Sequence, residues 1–517
     1  MPTPAASSAC ACAGPATPPD PARVTALRRY MMPLAPVLAG LAAALGQEPW
    51  GLWWLAMAGY VLGIGTVARA RSPFLAGLAF GTAHFSLALN WITEPFRVDP
   101  AATGWLAPFA LLGVGLGFGL FWAVAGWVGA RRGPLGVAVA IGLVELLRAY
   151  LFTGFPWALP GHVFIASPAL PAASIAGAHG LGICLLVGAG LVATLNAIRM
   201  GAGVGLLALP LALGAVLPPA PAIPGDAPVI RLIQPNAAQH LKWDPAWTGI
   251  FFRRALAETA AAPEGRQPDA VLWPETALPE LLRYTDDVRP MIAAAAGGVP
   301  VIAGAQRYDA DGAPRNSLVL LTGGAGDSAV VHDKHRLVPF GEFLPVPSLF
   351  EAIGVGPLAS QLAGTYAAGD GPALVDLPGI GPVLPMICYE AIFPQDIIAT
   401  ARPRAILHLT NDAWFGTRAG PQQHLGLARL RAAESGLPLL RAANTGVSAA
   451  IDARGRVLAA LPLGEAGHLD APLPPALPPT PYMATGDWTP LLLLLALALW
   501  LSAARRPIAV ERAPEPT

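Results

Sequence analysis

Long apolar runs are crowded into one half of this chain, and that segregation limits what it can fold into. They lie at about 31–46, 50–68, 73–92, 105–129, 134–152, 173–198 and 202–218, with one more at about 488–504. A spanning helix needs about 20 apolar residues, with a range near 17–25. The runs therefore read as eight spans, the first short and broken by Pro33 and Pro36. Charged residues make up only 12% of the chain and hydrophobic ones 54%, against about 25% and about 45–50% in a soluble globular protein. Between 228 and 470 charges, turns and alternating strands return, as in a soluble domain.

The Lys/Arg bias of short loops sets orientation. Arg23, Arg28 and Arg29 precede the first segment; Arg69 and Arg71 follow the second, Arg131 and Arg132 the fourth, Arg199 the sixth, and Arg505 and Arg506 the last. The intervening loops at 47–49 and 153–172 carry no Lys or Arg, and 93–104 carries only Arg97. Both termini are thereby expected in the cytoplasm and residues 219–487 outside it. The expected layout is a disordered Ala/Pro-rich leader at 1–22, spans one to seven within 23–218, and a Pro-rich linker at 219–227. A catalytic domain at 228–471, a second linker at 472–487, the eighth span at 488–504 and a tail at 505–517 complete it. The leader lacks the layout of a signal peptide. A net charge of zero gives no basic footprint for nucleic acid.

Within the spans, Glu145 and Arg148 stand out. Ionisable groups at membrane depth pair or face a cavity, and three residues apart they share a helix face. They read equally as a pair that fixes helix packing or as a substrate contact. Thr153-Gly154-Phe155-Pro156-Trp157 reads as a re-entrant or interfacial loop, with Trp157 at the membrane interface. Gly113, Gly115, Gly117 and Gly119 offer close helix packing.

The domain predicts strands at 229–233, 269–273, 299–303, 317–321, 383–387, 405–410, 439–443 and 447–451, and a helix at 421–435. Strands alternating with helices argue an α/β domain. Glu275, Lys334 and Cys388 each come just after a predicted strand, where α/β proteins assemble sites. Each also has an ordinary reading: a turn at Trp273-Pro274-Glu275, a solvated charge run around Lys334, and a buried structural thiol for Cys388. The other cysteines, Cys10, Cys12 and Cys184, fall in the leader and an apolar run. No disulfide framework or CxxC metal cluster can be built in the domain. An unpaired thiol in an oxidising compartment is better explained by use than by packing.

The segments WPETALP, HDKHRLVPFGEFLP, MICYE and TNDAWFG, in this order, resemble the nitrilase superfamily. With ExxR…TGFPW at 145–157 and RAAESGLPLLRAANTG at 431–446, the chain more closely resembles the bacterial apolipoprotein N-acyltransferase family. Leu437 stands where that family's pattern has Arg. The resemblance implies an eight-span bundle with a nitrilase-like αββα sandwich inserted before the last span. It implies Glu275 as general base and acid, Lys334 as oxyanion stabiliser and Cys388 as nucleophile, with no cofactor and no metal. Glu342, Tyr389 and Glu390 resemble supporting residues, and Trp243 a residue near the substrate entrance or else a packing residue. The implied partners are a phospholipid acyl donor, phosphatidylethanolamine, and a diacylated apolipoprotein acceptor, at the inner membrane. A helix beginning after Cys388 would lower its pKa, and 345–358 could form a lid. The rival readings are a membrane-tethered amidase or hydrolase of nitrilase type, and a non-catalytic transporter or scaffold.

Overall fold

A computed structural model of the chain describes residues 34–323, 327–352 and 365–503. The leader, the tail and the expected lid from residue 353 to its end at 358 lie outside them. Helices Leu34–Ala44, Trp53–Arg69, Pro73–Ala88, Ala107–Gly129, Gly133–Tyr150, Ala173–Val192, Ala197–Val216 and Trp488–Ala503 fall on the eight apolar segments. Length separates them. Among the described residues, three helical stretches are long and apolar enough to cross a membrane: Pro100–Tyr150, Leu170–Val192 and Ala197–Val216. The bent pair Pro73–Ala88 and Asn90–Arg97 adds a fourth if it is one span. Leu34–Ala44 and Trp488–Ala503 begin and end, respectively, at the limit of the described residues, within which each is a shorter apolar helix.

Pro100–Tyr150 is itself a hairpin. Gly133, at φ 70°, reverses the chain, and Gly129 and Gly136 approach so closely that a Cβ on either would meet the other's carbonyl within 2.5 Å. Of the four glycines expected to pack, Gly115 and Gly119 lie against Ser86 and Thr82, while Gly113 and Gly117 face open space. Arg199, expected in a loop, sits in the first turn of its helix, where the Asn196 side chain accepts its N–H at 3.2 Å. The outer helix faces expose Phe109, Leu112, Leu120, Val204, Leu492 and Leu499, an apolar surface suited to lipid.

Among the described residues, twelve strands build two six-stranded sheets. One has the order β12 (Gly467–Pro472), β1 (Val229–Gln234), β2 (Ala270–Leu272), β3 (Val301–Tyr308), β4 (Pro314–Thr322), β5 (Asp327–Asp333), and the other β11 (Val457–Leu461), β10 (Ser448–Ile451), β9 (Leu439–Ala443), β8 (Ala405–Thr410), β7 (Gly381–Ile387), β6 (Val375–Leu377). In the first sheet the central strands β1, β2 and β3 run parallel. In the second, β7, β8 and β9 do the same. Side chains alternate between faces. Ile230, Leu232, Leu407 and Leu409 enter the core between the sheets, whereas Ile233 and Ile406 point to the outer layers. Helix Pro245–Ala260 covers the first sheet through Phe252 and Ala255, and helix Gly420–Ser435 covers the second through Ala428 and Ala432. The result is a helix–sheet–sheet–helix sandwich. Its central core continues into the helical half through Trp157, Phe415 and Leu427.

Candidate active site

Three strand ends meet. Strand β5 (Asp327–Asp333) delivers Lys334, β7 delivers Cys388, and the turn after β2 delivers Glu275. All three are buried, Lys334 to 1% exposure. Lys334 Nζ lies 2.7 Å from Glu342 Oε1 and 3.4 Å from Glu275 Oε1. Asn316 Nδ2 donates to Glu275 Oε1 at 2.8 Å, and the Asn411 N–H to Glu275 Oε2 at 2.9 Å. Both Glu275 oxygens are thus held, and the carboxylate cannot swing away.

The parallel register sets Ile387 beside Leu409, so Cys388 and Thr410 emerge side by side, and the Thr410 hydroxyl donates to Asp412 Oδ1 at 2.9 Å. Cys388 has φ 49°, a left-handed conformation costing an L-residue about 1–3 kcal/mol that persists only where its surroundings fix it. The segment after it is a five-residue 3-10 turn, Cys388–Ile392, rather than a long helix. Burial therefore governs the thiol and pushes its pKa well above the usual range. The charge on Glu275 adds to this, and Lys334 opposes it. This corrects the expectation of a helix-lowered pKa: the resting group is a thiol beside a carboxylate that can take its proton.

Glu390 joins the two strand ends. Its Oε1 accepts the His335 N–H at 2.8 Å and its Oε2 the Ile387 N–H at 2.7 Å. One carboxylate so clamps the residue after Lys334 to the residue before Cys388. Burial raises the Glu390 pKa, but the His332 and His335 bonds outweigh it and hold the group below the carboxylate range. His332, His335 and Glu390 bring ligand-type atoms within 4.8 Å of one another; His332 Nε2 lies 3.2 Å and His335 Nδ1 2.7 Å from Glu390. His335 also reaches Asp396 at 2.9 Å. Burial pulls its pKa down, yet the bonds to Asp396 and Glu390 lift it to about 9. Being raised in the folded state, it contributes stability that is complete below about pH 6.5 and lost as pH rises through about 9. The unfolding midpoint of the wild type is expected to fall across that window, and that of His335→Gln to lose this slope.

Trp243 is 43% exposed, at a cavity of about 30 Å³ lined also by Lys242, Phe251, Glu275 and Thr276. It is a surface residue near the base rather than a core one. Lys242, which was not singled out in the sequence, donates to Thr276 Oγ1 at 2.6 Å. Burial lowers its pKa to about 8, against the pull of Glu275.

Glu145 and Arg148 form a buried pair at 2.6 Å, away from Cys388 in sequence but linked to it through packing. Trp122 Nε1 donates to Glu145 at 2.8 Å, and Arg148 Nη1 to the Phe155 carbonyl at 2.6 Å. Phe155 lies 6.5 Å from the Tyr389 ring, and the Tyr389 hydroxyl donates to the Gly154 carbonyl at 3.3 Å. The pair thus holds the loop on which the residue beside Cys388 rests. Trp157, expected at the membrane interface, is instead 2% exposed and donates to Gln423 Oε1 at 2.7 Å. It seals the junction of helices and sandwich.

The two-sheet sandwich that carries Glu275, Lys334 and Cys388 is a carbon–nitrogen hydrolase domain: the family model described as Carbon-nitrogen hydrolase matches residues 247–477. A second, Apolipoprotein N-acyltransferase N-terminal domain, matches residues 39–191. A Caulobacter vibrioides protein named Apolipoprotein N-acyltransferase is 37% identical over 90% of this chain and 94% of its own length. One of the same name from Sinorhizobium fredii is 34% identical over 85% and 90%. The chain belongs to the apolipoprotein N-acyltransferase family, and with its apolar helices it is a membrane protein. Among solved structures, a Helicobacter pylori carbon–nitrogen hydrolase aligns at 16% identity and TM-score 0.35 over 55% of this chain and 96% of that one.

Proposed function

We propose that this chain moves a fatty acyl group from a membrane phospholipid, phosphatidylethanolamine, through a Cys388 thioester to the α-amino group of the S-diacylglyceryl-cysteine of an apolipoprotein. Family membership supplies the reaction class, acyl transfer to apolipoproteins. The observation that carries the mechanism is the buried Glu275–Lys334 pair whose charges act on the Cys388 thiol. As sulfur attacks the ester carbonyl, its proton passes to Glu275. Lys334 and backbone N–H groups at Cys388–Tyr389 stabilise the oxyanion. The ester C–O bond breaks, Glu275 returns the proton to the departing lysophospholipid oxygen, and the thioester remains. The acceptor amine then attacks, gives its proton to Glu275, and sulfur leaves to regain it.

The topology that fits this chemistry has eight membrane segments, including the short ones, with both termini cytoplasmic and the domain periplasmic between the linkers at 219–227 and 472–487. The Lys/Arg distribution and the exposed apolar helix faces support it. Both substrates are lipid-anchored, and a doubly tethered domain keeps Cys388 near the bilayer. Incubation with acyl-labelled phospholipid is expected to move label onto a diacylglyceryl-cysteine peptide, with little free fatty acid in its absence. Acceptor-independent fatty-acid release as the main product would overturn transfer in favour of hydrolysis.

A further inference from the structure

Beneath the nucleophile lies a polar cluster that the reaction scheme does not use. His408 on β8 and His424 on helix Gly420–Ser435 are both 0% exposed, as are Asp412 and Arg441. The two imidazoles converge on one atom: His408 Nε2 and His424 Nε2 each lie 3.1 Å from the backbone carbonyl oxygen of Cys388. That oxygen only accepts, and it is one of two acceptors flanking His424, whose Nδ1 faces the Asp412 carboxylate. Parallel pairing of β8 and β9 sets His408 opposite Arg441. Arg441 Nη1 donates to His408 Nδ1 at 2.7 Å, which leaves the proton on Nε2. His424 Nδ1 lies 2.8 Å from Asp412 Oδ1, and Asp412 pairs in turn with Arg441. The Thr410 hydroxyl donates to Asp412 Oδ1 at 2.9 Å and Arg441 Nε to the Val447 carbonyl at 3.2 Å, so the cluster is braced from both sides beneath the nucleophile's backbone.

That carbonyl matters because of where it sits. Cys388 holds a left-handed φ of 49°, which a side chain without support would leave. The Cys388–Tyr389 peptide is a planar trans unit, so its C=O and N–H point in opposite directions. Anchoring the oxygen toward His408 and His424 aims the Tyr389 N–H the other way. That N–H lies in the first turn of the 3-10 segment Cys388–Ile392, where no intrahelical acceptor exists.

We propose that His408 and His424 are positioning residues: through the Cys388 carbonyl they hold the nucleophile in its strained conformation and aim the Tyr389 N–H at the developing oxyanion. This rests on the thioester reading above. It assigns a task to two histidines that touch no substrate, with Arg441 setting the His408 tautomer and Asp412 holding the His424 ring in place.

The test uses the full chain in lipid nanodiscs with acyl-labelled phosphatidylethanolamine and no acceptor. The readout is the rate at which an acyl mass appears on Cys388, together with the thermal midpoint of each variant. His408→Leu and His424→Leu are each expected to slow acylation about 100-fold, as a small misplacement of a reacting group does. The donor KM should stay within about threefold, since only the transition state is affected. Glutamine places an amide N–H where Nε2 stood, and asparagine does not reach. His408→Gln and His424→Gln should therefore acylate faster than the asparagine variants by about tenfold or more. Wild-type protein that never carries an acyl mass overturns the thioester reading itself. Wild type that acylates, with folded leucine variants acylating at the same rate, overturns the positioning role alone. Should the leucine variants not fold, the glutamine and asparagine pair decides, and equal rates in the two overturn it.

Discussion

Cys388→Ser is expected to abolish the acyl adduct and lower acyl transfer by about 10⁴-fold or more, as loss of a nucleophile does elsewhere. The site explains why one atom matters so much. Burial holds Cys388 protonated at rest, so attack depends on sulfur giving its proton to Glu275 as the S–C bond forms. A serine hydroxyl is a far weaker acid than a thiol, and a carboxylate fixed by Asn316 and the Asn411 N–H is too weak a base to deprotonate it. The substitution exchanges sulfur for oxygen at nearly constant shape, so stability should change by about 1–2 kcal/mol at most. Intact-mass spectrometry of wild type and variant checks the adduct, and labelled transfer to a diacylglyceryl-cysteine peptide checks the rate. Full transfer by the serine variant would exclude Cys388 as nucleophile.

The position of that thiol was legible in the sequence because strand ends are. Glu275, Lys334 and Cys388 follow alternating β-rich runs, and the structure brings Glu275 and Lys334 to 3.4 Å. Asn411 also follows a predicted strand and holds Glu275, so the same rule applied to β8 would have found it. Asn316 carries no such signal, being mid-strand, where side-chain direction depends on register. His408 and Arg441 were hidden for the same reason: a polar residue within a strand looks solvent-facing until the helix above it is placed. The expected pKa of Cys388 failed because sequence shows a turn-compatible segment but not its length, and five residues of 3-10 helix bring little dipole. Trp157 failed for a different reason. An aromatic after a helix break suits a lipid interface, but here the sandwich covers it through Gln423. Each of the eight apolar runs contains a helix, yet among the described residues only three helical stretches, or four with the bent pair, are long and apolar enough to cross a membrane.

Lys334→Met is expected to remove activity and stability together, and a second substitution separates the two. Lys334 is 1% exposed and is the cation shared by Glu342 and Glu275. Burial alone would lower its pKa, but the charges of Glu342, Glu275 and Cys388 outweigh this and keep it protonated. Removing it leaves carboxylates buried without their counter-charge, a change that costs about 3–5 kcal/mol where one partner of a buried pair is lost. It also takes away an oxyanion donor, worth about 100–1000-fold in rate. If the activity loss came only from a disturbed fold, restoring the charge balance would restore the rate. Lys334→Met combined with Glu342→Gln removes one buried negative charge along with the positive one. It should recover much of the lost thermal midpoint, because Glu342 Oε1 is the nearer partner at 2.7 Å. Acylation of Cys388 should stay low, because no cation then faces the tetrahedral oxyanion. A double variant that regained both stability and acylation would show Lys334 to be a structural counter-ion, and would move the whole burden of oxyanion stabilisation to the backbone N–H groups at Cys388–Tyr389.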